Sequence, residues 1–211
     1  MIFQLQIITA VVLVVISILW FSVRKIKNYH KHFFAYLLSF SLALIASNIL
    51  YSVFASKILI ATDTSIRIFA KVNLLFILIA LYVMAMYILS KALDENSHKK
   101  IVFPFVSLVI LESFIVLISD IGVEETSLAL LGTSPFICYV LALVNVFSFI
   151  TIIILNNKKI NKWFLFVTII SSLLVTGGIA TSYLFKINGL VEAGIVAADV
   201  IFFVACVRTN Y

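Results

Sequence analysis

Charge is scarce in this chain. Of its 211 residues, 11% are Asp, Glu, Lys or Arg and 64% are hydrophobic. A soluble domain carries about 25% charged residues, so a solvated surface of ordinary size is excluded. There are 2 prolines, and none is expected inside a helix. Pro104 is placed in the first turn of a fourth helix and Pro135 in that of a fifth, where a missing N–H costs least, with Thr133 or Ser134 as the fifth helix's cap. Broken, proline-kinked helices of the transporter kind are therefore not expected. The 6 glycines are scattered, and no G-x-x-x-x-G-K-[ST] loop occurs, which excludes nucleotide binding by that device. The 2 cysteines, Cys138 and Cys206, are expected near opposite membrane faces, so they form neither a disulfide nor a metal site. Neither H-E-x-x-H nor G-x-S-x-G is present. His30, His32 and His98 fall in polar breaks and read as interfacial residues rather than metal ligands. No enzyme and no cofactor is expected.

What the chain has in abundance is long apolar runs. Seven reach spanning length: 2–23, 33–55, 66–90, 101–119, 134–155, 163–185 and 189–207. Each matches the ~20 residues that cross a bilayer as a helix. The first has no basic residue before it and no A-x-A site after it, so it reads as a retained helix rather than a signal peptide. The breaks RKIKNYHKH, SKILIATDTS, KALDENSHKK, DIGVEETS, NNKKINK and KING leave no room for a soluble domain. Lipid offers backbone groups no partner, which requires helices or a closed barrel. The ten-residue alternation of barrel strands is absent. The expected fold is one all-α bundle of seven transmembrane helices spanning 1–211.

The basic excess, 15 Lys and Arg against 9 Asp and Glu, reports loop placement rather than nucleic acid in so apolar a chain. One side holds Arg24, Lys25, Lys27, Lys31, Lys91, Lys99, Lys100, Lys158, Lys159, Lys162 and Arg208. The other holds Lys57, Arg67, Lys71 and Lys186. Eleven against 4 puts the N-terminus outside and the C-terminus in the cytoplasm. The acidic loop with Asp120, Glu124 and Glu125 is then outside. In KING, Asn188 and Gly189 suit left-handed turn positions.

Polar residues within the spans are the candidates for function, because a charge in hydrocarbon costs about 3 kcal/mol on insertion scales. This orientation puts Lys71, Glu112, Asn48, Asn73 and Glu192 in the outer half, where they can converge in one pocket. Asp199 lies about two turns deeper than Glu192 on nearly the same helix face. The plainer readings are that Lys71 snorkels to the headgroups or pairs with Glu112, and that Asn48, Asn73 and Asn145 join helices at about 0.6 kcal/mol each. Asp199 is expected to be protonated or bonded to an Asn, Ser or Tyr of a neighbouring helix. Small residues, Ala193, Gly194, Ala197 and Ala198 with Gly177 and Gly178, point to close packing of helices six and seven. A hinge at Gly177-Gly178 is the alternative.

Seven helices in this length invite comparison with microbial rhodopsins, but the middle of helix seven holds Asp199 where those proteins need the retinal lysine. No Pro-Gln dipeptide is present either, so the small sugar transporters find no support. The layout resembles instead the seven-helix N-terminal sensor region of bacterial histidine kinases. The likeness runs through the first helix with RKIKNYHKHFFAYLLSFSLALIASNILYSVFAS after it. It continues with RIFAKVNLLFILIALYVMAMYIL, the acidic loop after helix four, and NNKKINKWFLF. Family members often have a proline in helix three or six; this chain has none there. The family's kinases continue into a phosphoacceptor helix and an ATP-binding domain, whereas this sequence ends at Val207-Arg208-Thr209-Asn210-Tyr211.

The resemblance implies a sensor or receptor-like module in a bacterial inner membrane, acting on a separate cytoplasmic or membrane partner, or a fragment of a longer kinase. The bias toward Ile, Lys, Asn and Phe also points to a bacterium. The alternatives are a small transporter or channel using Asp199 and Glu112 as protonatable steps, and a structural subunit of a membrane complex. Three arrangements separate them. A polar file from Glu192 through Asp199 to Arg208 favours transport. An outer cavity over a closed inner half favours sensing. An outward-facing Asp199 favours assembly.

Overall fold

The computed structural model describes residues 2–22, 28–56, 58, 62–123, 128, 130–155 and 161–209. The described residues form seven helices and one small hairpin. The helices are α1 (Ile2–Ser22), α2 (Asn28–Ala55), α3 (Asp63–Ala92), α4 (Glu95–Ile118), α5 (Thr133–Leu155), α6 (Lys162–Phe185) and α7 (Leu190–Thr209). Six of them, α2 to α7, are long and apolar enough to cross a membrane, while α1 offers a shorter apolar stretch, Gln4–Trp20. Between α4 and α5, β1 (Gly122–Val123) pairs antiparallel with β2 (Leu130–Leu131). Glu124 and Glu125 of the acidic loop, and the breaks at 23–27 and 156–160, lie outside the described residues.

α3 is the central helix, buried along most of its length from Ala70 to Ala92. α2, α4, α5 and α7 pack against it, α1 packs on α2 and α7, and α6 packs on α5 and α7. α4 lies at the margin, with Phe103, Ile110, Phe114 and Ile118 exposed. Exposed apolar side chains cover the outside of the bundle, including Ile7, Leu108, Phe147 and Leu173. In water such a surface would aggregate; in lipid it is the ordinary solvent-facing surface. One continuous buried core joins all seven helices.

Several helices begin before their apolar runs do, because polar side chains cap them. Asp94 accepts from the backbone N–H of Ser97 at 3.1 Å, so α4 starts at Glu95 rather than 101. KALDENSHKK is thus mostly helix, and Pro104 lies inside α4 rather than in its first turn. This corrects the expectation of proline-free helix interiors. The same extension buries His98. Its Nε2–H donates to the Met86 carbonyl at 3.1 Å and its ring meets Phe33 edge-on, so His98 is a packed residue and not an interfacial one. Thr62 caps α3 and Asn161 caps α6. At α5 the helix already includes Thr133 and Ser134. Ser134 instead donates to the Val116 carbonyl of α4 at 2.9 Å.

α6 and α7 are antiparallel and close. A Cβ added at Gly178 would sit 2.7 Å from the Leu190 carbonyl oxygen, and one at Gly194 would sit 2.9 Å from that of Leu174. These two glycines let the backbones touch, and Ala198 is fully buried on the same helix. Gly177 differs: nothing lies within 4 Å of its added Cβ. α6 continues unbroken through both glycines. In the turn between α6 and α7, Lys186 and Gly189 hold the positive φ angles, 51° and 93°. Asn188, expected there, has its side chain buried instead.

Candidate functional site

The hairpin end of the bundle holds a cluster of buried polar side chains from α1, α2, α3 and α7 and the turn before α7. Gln6 Nε2 donates to Asn48 Oδ1 at 3.0 Å and to Ser52 Oγ at 2.7 Å. Asn188 Nδ2 reaches the same two acceptors at 3.1 and 3.2 Å. Ser47, next to Asn48 on α2, donates to Asn73 Oδ1 at 2.9 Å. Asn73 Nδ2 in turn donates to Glu192 Oε1 at 3.1 Å. Every one of these side chains is buried. Their spacing explains the assembly: Asn48 and Ser52 are four apart and share a helix face.

Glu192 faces Tyr139 and Cys138 of α5 as well as Asn48. Beyond Cys138 lies a second buried carboxylate, Glu112, which accepts from Asn145 Nδ2 at 2.9 Å. Cys138 donates to the Leu74 carbonyl at 3.5 Å, and both it and Cys206 are free thiols.

Lys71 does not join this cluster. Its ammonium donates to the Leu117 carbonyl at 2.5 Å, at the last turn of α4. There it meets an orphan carbonyl and the negative end of the helix dipole. The Lys71–Glu112 pair expected from depth alone is therefore replaced by two separate contacts.

Asp199 is fully buried and faces the bundle interior. Neither carboxylate oxygen makes a hydrogen bond among the described residues, although the Ser41 hydroxyl lies beside it, itself unpartnered. No Lys or Arg pairs with Glu112, Glu192 or Asp199 among the described residues.

Past Asp199, toward the opposite end, the interior is aromatic. Trp20, Phe34, Tyr87 and Phe202 are each fully buried. Trp20 and Phe34 stand 4.3 Å apart, Phe34 and Tyr87 5.1 Å, and Tyr87 and Phe202 5.6 Å. Tyr87 also bonds the Cys206 thiol. The buried hydroxyls of Thr168, Ser171 and Ser172 on α6 lie in the same half.

At the hairpin end, by contrast, a cavity of about 360 Å³ opens between β2, α5 and the α6–α7 turn. Tyr139, Ser182, Lys186 and Asn188 supply its polar lining, and Leu130, Leu131, Pro135 and Leu184 its apolar one. Tyr139 lines the cavity and lies near Glu192, and Asn188 links the cavity to Asn48 and Ser52. The hairpin is fixed over the bundle by Tyr51, whose hydroxyl donates to the Leu128 carbonyl at 2.8 Å.

The structure thus brings Asn48, Asn73 and Glu192 into one network. It sets Glu112 beside it across Cys138, puts Lys71 apart from it and leaves Asp199 deeper. Sequence reading missed Gln6, Ser47, Ser52, Tyr139 and Asn188. A polar residue one or two turns from another within an apolar run was the available signal for the first three. Among the described residues no group of three His, Cys, Asp or Glu side chains stands close enough to hold a metal ion. No protein-family model matches the chain, and no curated protein matches it.

Proposed function

We propose that this protein is a seven-span sensor or receptor-like module of a bacterial inner membrane, with no enzymatic step of its own. Its N-terminus and hairpin face outward and its C-terminus faces the cytoplasm. A cue enters the hairpin-end cavity and changes the contacts of Tyr139 and Asn188 with the Glu192–Asn73 and Asn48–Gln6 network. α7 carries the change to a separate partner at the other face.

The observation that carries this reading is the asymmetry of the interior: an open, polar-lined cavity at one end and a buried cluster of packed aromatic rings toward the other. A ligand acts only through different affinities for two arrangements of the bundle. Glu192 is suited to report such a difference, because it lies on α7 itself and accepts a hydrogen bond from Asn73 of α3. A transport path is the weaker alternative, since the packed rings of Trp20, Phe34, Tyr87 and Phe202 occupy the interior past Asp199.

The test is to fill the cavity with Leu131→Trp at its rim, then follow hydrogen–deuterium exchange along α7 at residues 200–207. Altered exchange there supports transmission; unchanged exchange overturns it. Sustained proton or ion flux through proteoliposomes of the wild-type chain would overturn sensing in favour of transport.

A further inference from the structure

The cavity continues outside the bundle. A wholly apolar groove of about 310 Å³ runs between α5 and α6, lined among others by Phe136, Val140, Leu143 and Ile179. It shares Tyr139, Tyr183 and Leu184 with the cavity, so the two are contiguous. The groove opens sideways, with Phe136 50%, Tyr183 51% and Leu184 71% exposed. On this face the surrounding medium is lipid.

The polar end of this trough carries one kind of charge. Lys186 is the only charged side chain lining the cavity among the described residues. It is exposed, and it makes no hydrogen bond or ion pair among them. It holds a left-handed conformation at φ 51°, which non-glycine residues adopt at a cost of about 1 kcal/mol or more. Two of the cavity's other polar groups are committed. Ser182 donates to the Ile187 carbonyl at 2.9 Å and Asn188 to Asn48 and Ser52. The nearest buried acid, Glu192, lies near Tyr139 and is bonded to Asn73. Asp120, whose carbonyl oxygen lies beside Gly132 at the cavity edge, is exposed and does not line the cavity.

We propose that this trough holds one anionic phospholipid of the surrounding bilayer, its acyl chain along the α5–α6 groove and its phosphate against the Lys186 ammonium. This names the ligand class of the sensing site and rests on that reading. The sideways opening favours a lipid over a water-borne anion, which would fill the cavity and leave the groove unused. Moving a chain from bilayer to groove is nearly neutral, because lipid tails are as apolar as the side chains. Selectivity therefore falls on the head, where one lysine contributes about 1 kcal/mol, or about fivefold.

The experiment is native mass spectrometry of the full chain released from nanodiscs containing equal phosphatidylglycerol and phosphatidylcholine. One phosphatidylglycerol is expected to be retained about fivefold over phosphatidylcholine. Lys186→Glu should abolish that preference and Val140→Trp should reduce retention of both lipids, while Lys100→Glu, far from the trough, leaves the preference intact. Thermal midpoints establish that each variant is folded. Equal retention of the two lipids by the wild type, or unchanged preference in Lys186→Glu, overturns the proposal. So does full protection of the site by soluble glycerol phosphate, which would mark a water-borne ligand. Exchange along α7 in the same nanodiscs separates the two readings. Lipid preference without any α7 response overturns sensing alone, and an α7 response to cavity filling without lipid preference overturns the lipid alone.

Discussion

Asn73 on α3 and Glu192 on α7 are 119 residues apart in sequence and 3.1 Å apart through one hydrogen bond. That bond ties the central helix to the last one. It also leaves a carboxylate buried with an amide, and not a cation, as its partner.

Breaking this contact should separate hydrogen-bond loss from charge loss. Glu192→Gln keeps an acceptor for Asn73 and is expected to melt close to the wild type. Glu192→Leu orphans the Asn73 amide and is expected to lose about 1 kcal/mol, toward the upper end of interhelical bonds measured in membranes. Thermal unfolding followed by reaction of the two buried free thiols with a fluorogenic reagent measures both. Equal melting of the two variants would show that the bond contributes nothing.

The paired glycines of α6 should respond in opposite directions. Gly177→Ala places a methyl in open space and gains up to about 1 kcal/mol of helix propensity. Gly178→Ala drives a methyl against the Leu190 carbonyl, and overpacking of that kind costs about 1–3 kcal/mol. The same melting assay distinguishes them, and equal effects would refute the close backbone contact.

Asp199 should be replaceable without loss of stability. Its carboxylate makes no hydrogen bond among the described residues, so Asp199→Asn and Asp199→Leu remove a desolvation cost without breaking a bond. Both variants are expected to accumulate in the membrane at wild-type levels or above. If the Leu variant also keeps the α7 exchange response, the carboxylate has no functional role. If it fails to accumulate, the carboxylate is a structural contact.

Topology is open to direct labelling. Cysteine placed at Asp120, on the hairpin side, should react with a membrane-impermeant thiol reagent on intact cells. Cysteine at Asn96, near the start of α4, should react only after permeabilisation. Both positions are exposed, and the two native thiols are buried. The reverse pattern would invert the orientation.

Apolar run length alone made the seven helices legible, because a span of ~20 apolar residues admits one structure in lipid. Depth was legible too, since each residue advances a helix by about 1.5 Å. That is why Asn48, Asn73 and Glu192 could be assigned to one level before any contact was known. Helix starts were less legible, because the caps Thr62, Asp94 and Asn161 sit in polar breaks that hydropathy assigns to loops.

The direction in which each side chain points was decided by the tertiary structure. A helix apolar on every side carries no stripe to orient it, so depth could not choose between Glu112 and Leu117 as the partner of Lys71. Packing chose the carbonyl at the end of α4. It also turned Asp199 inward beside the Ser41 hydroxyl, and it joined the α6–α7 turn to β2 and α5 to form the cavity. Sequence fixes how far along the membrane normal a residue lies; only close packing of backbones, as at Gly178 and Gly194, fixes what it faces.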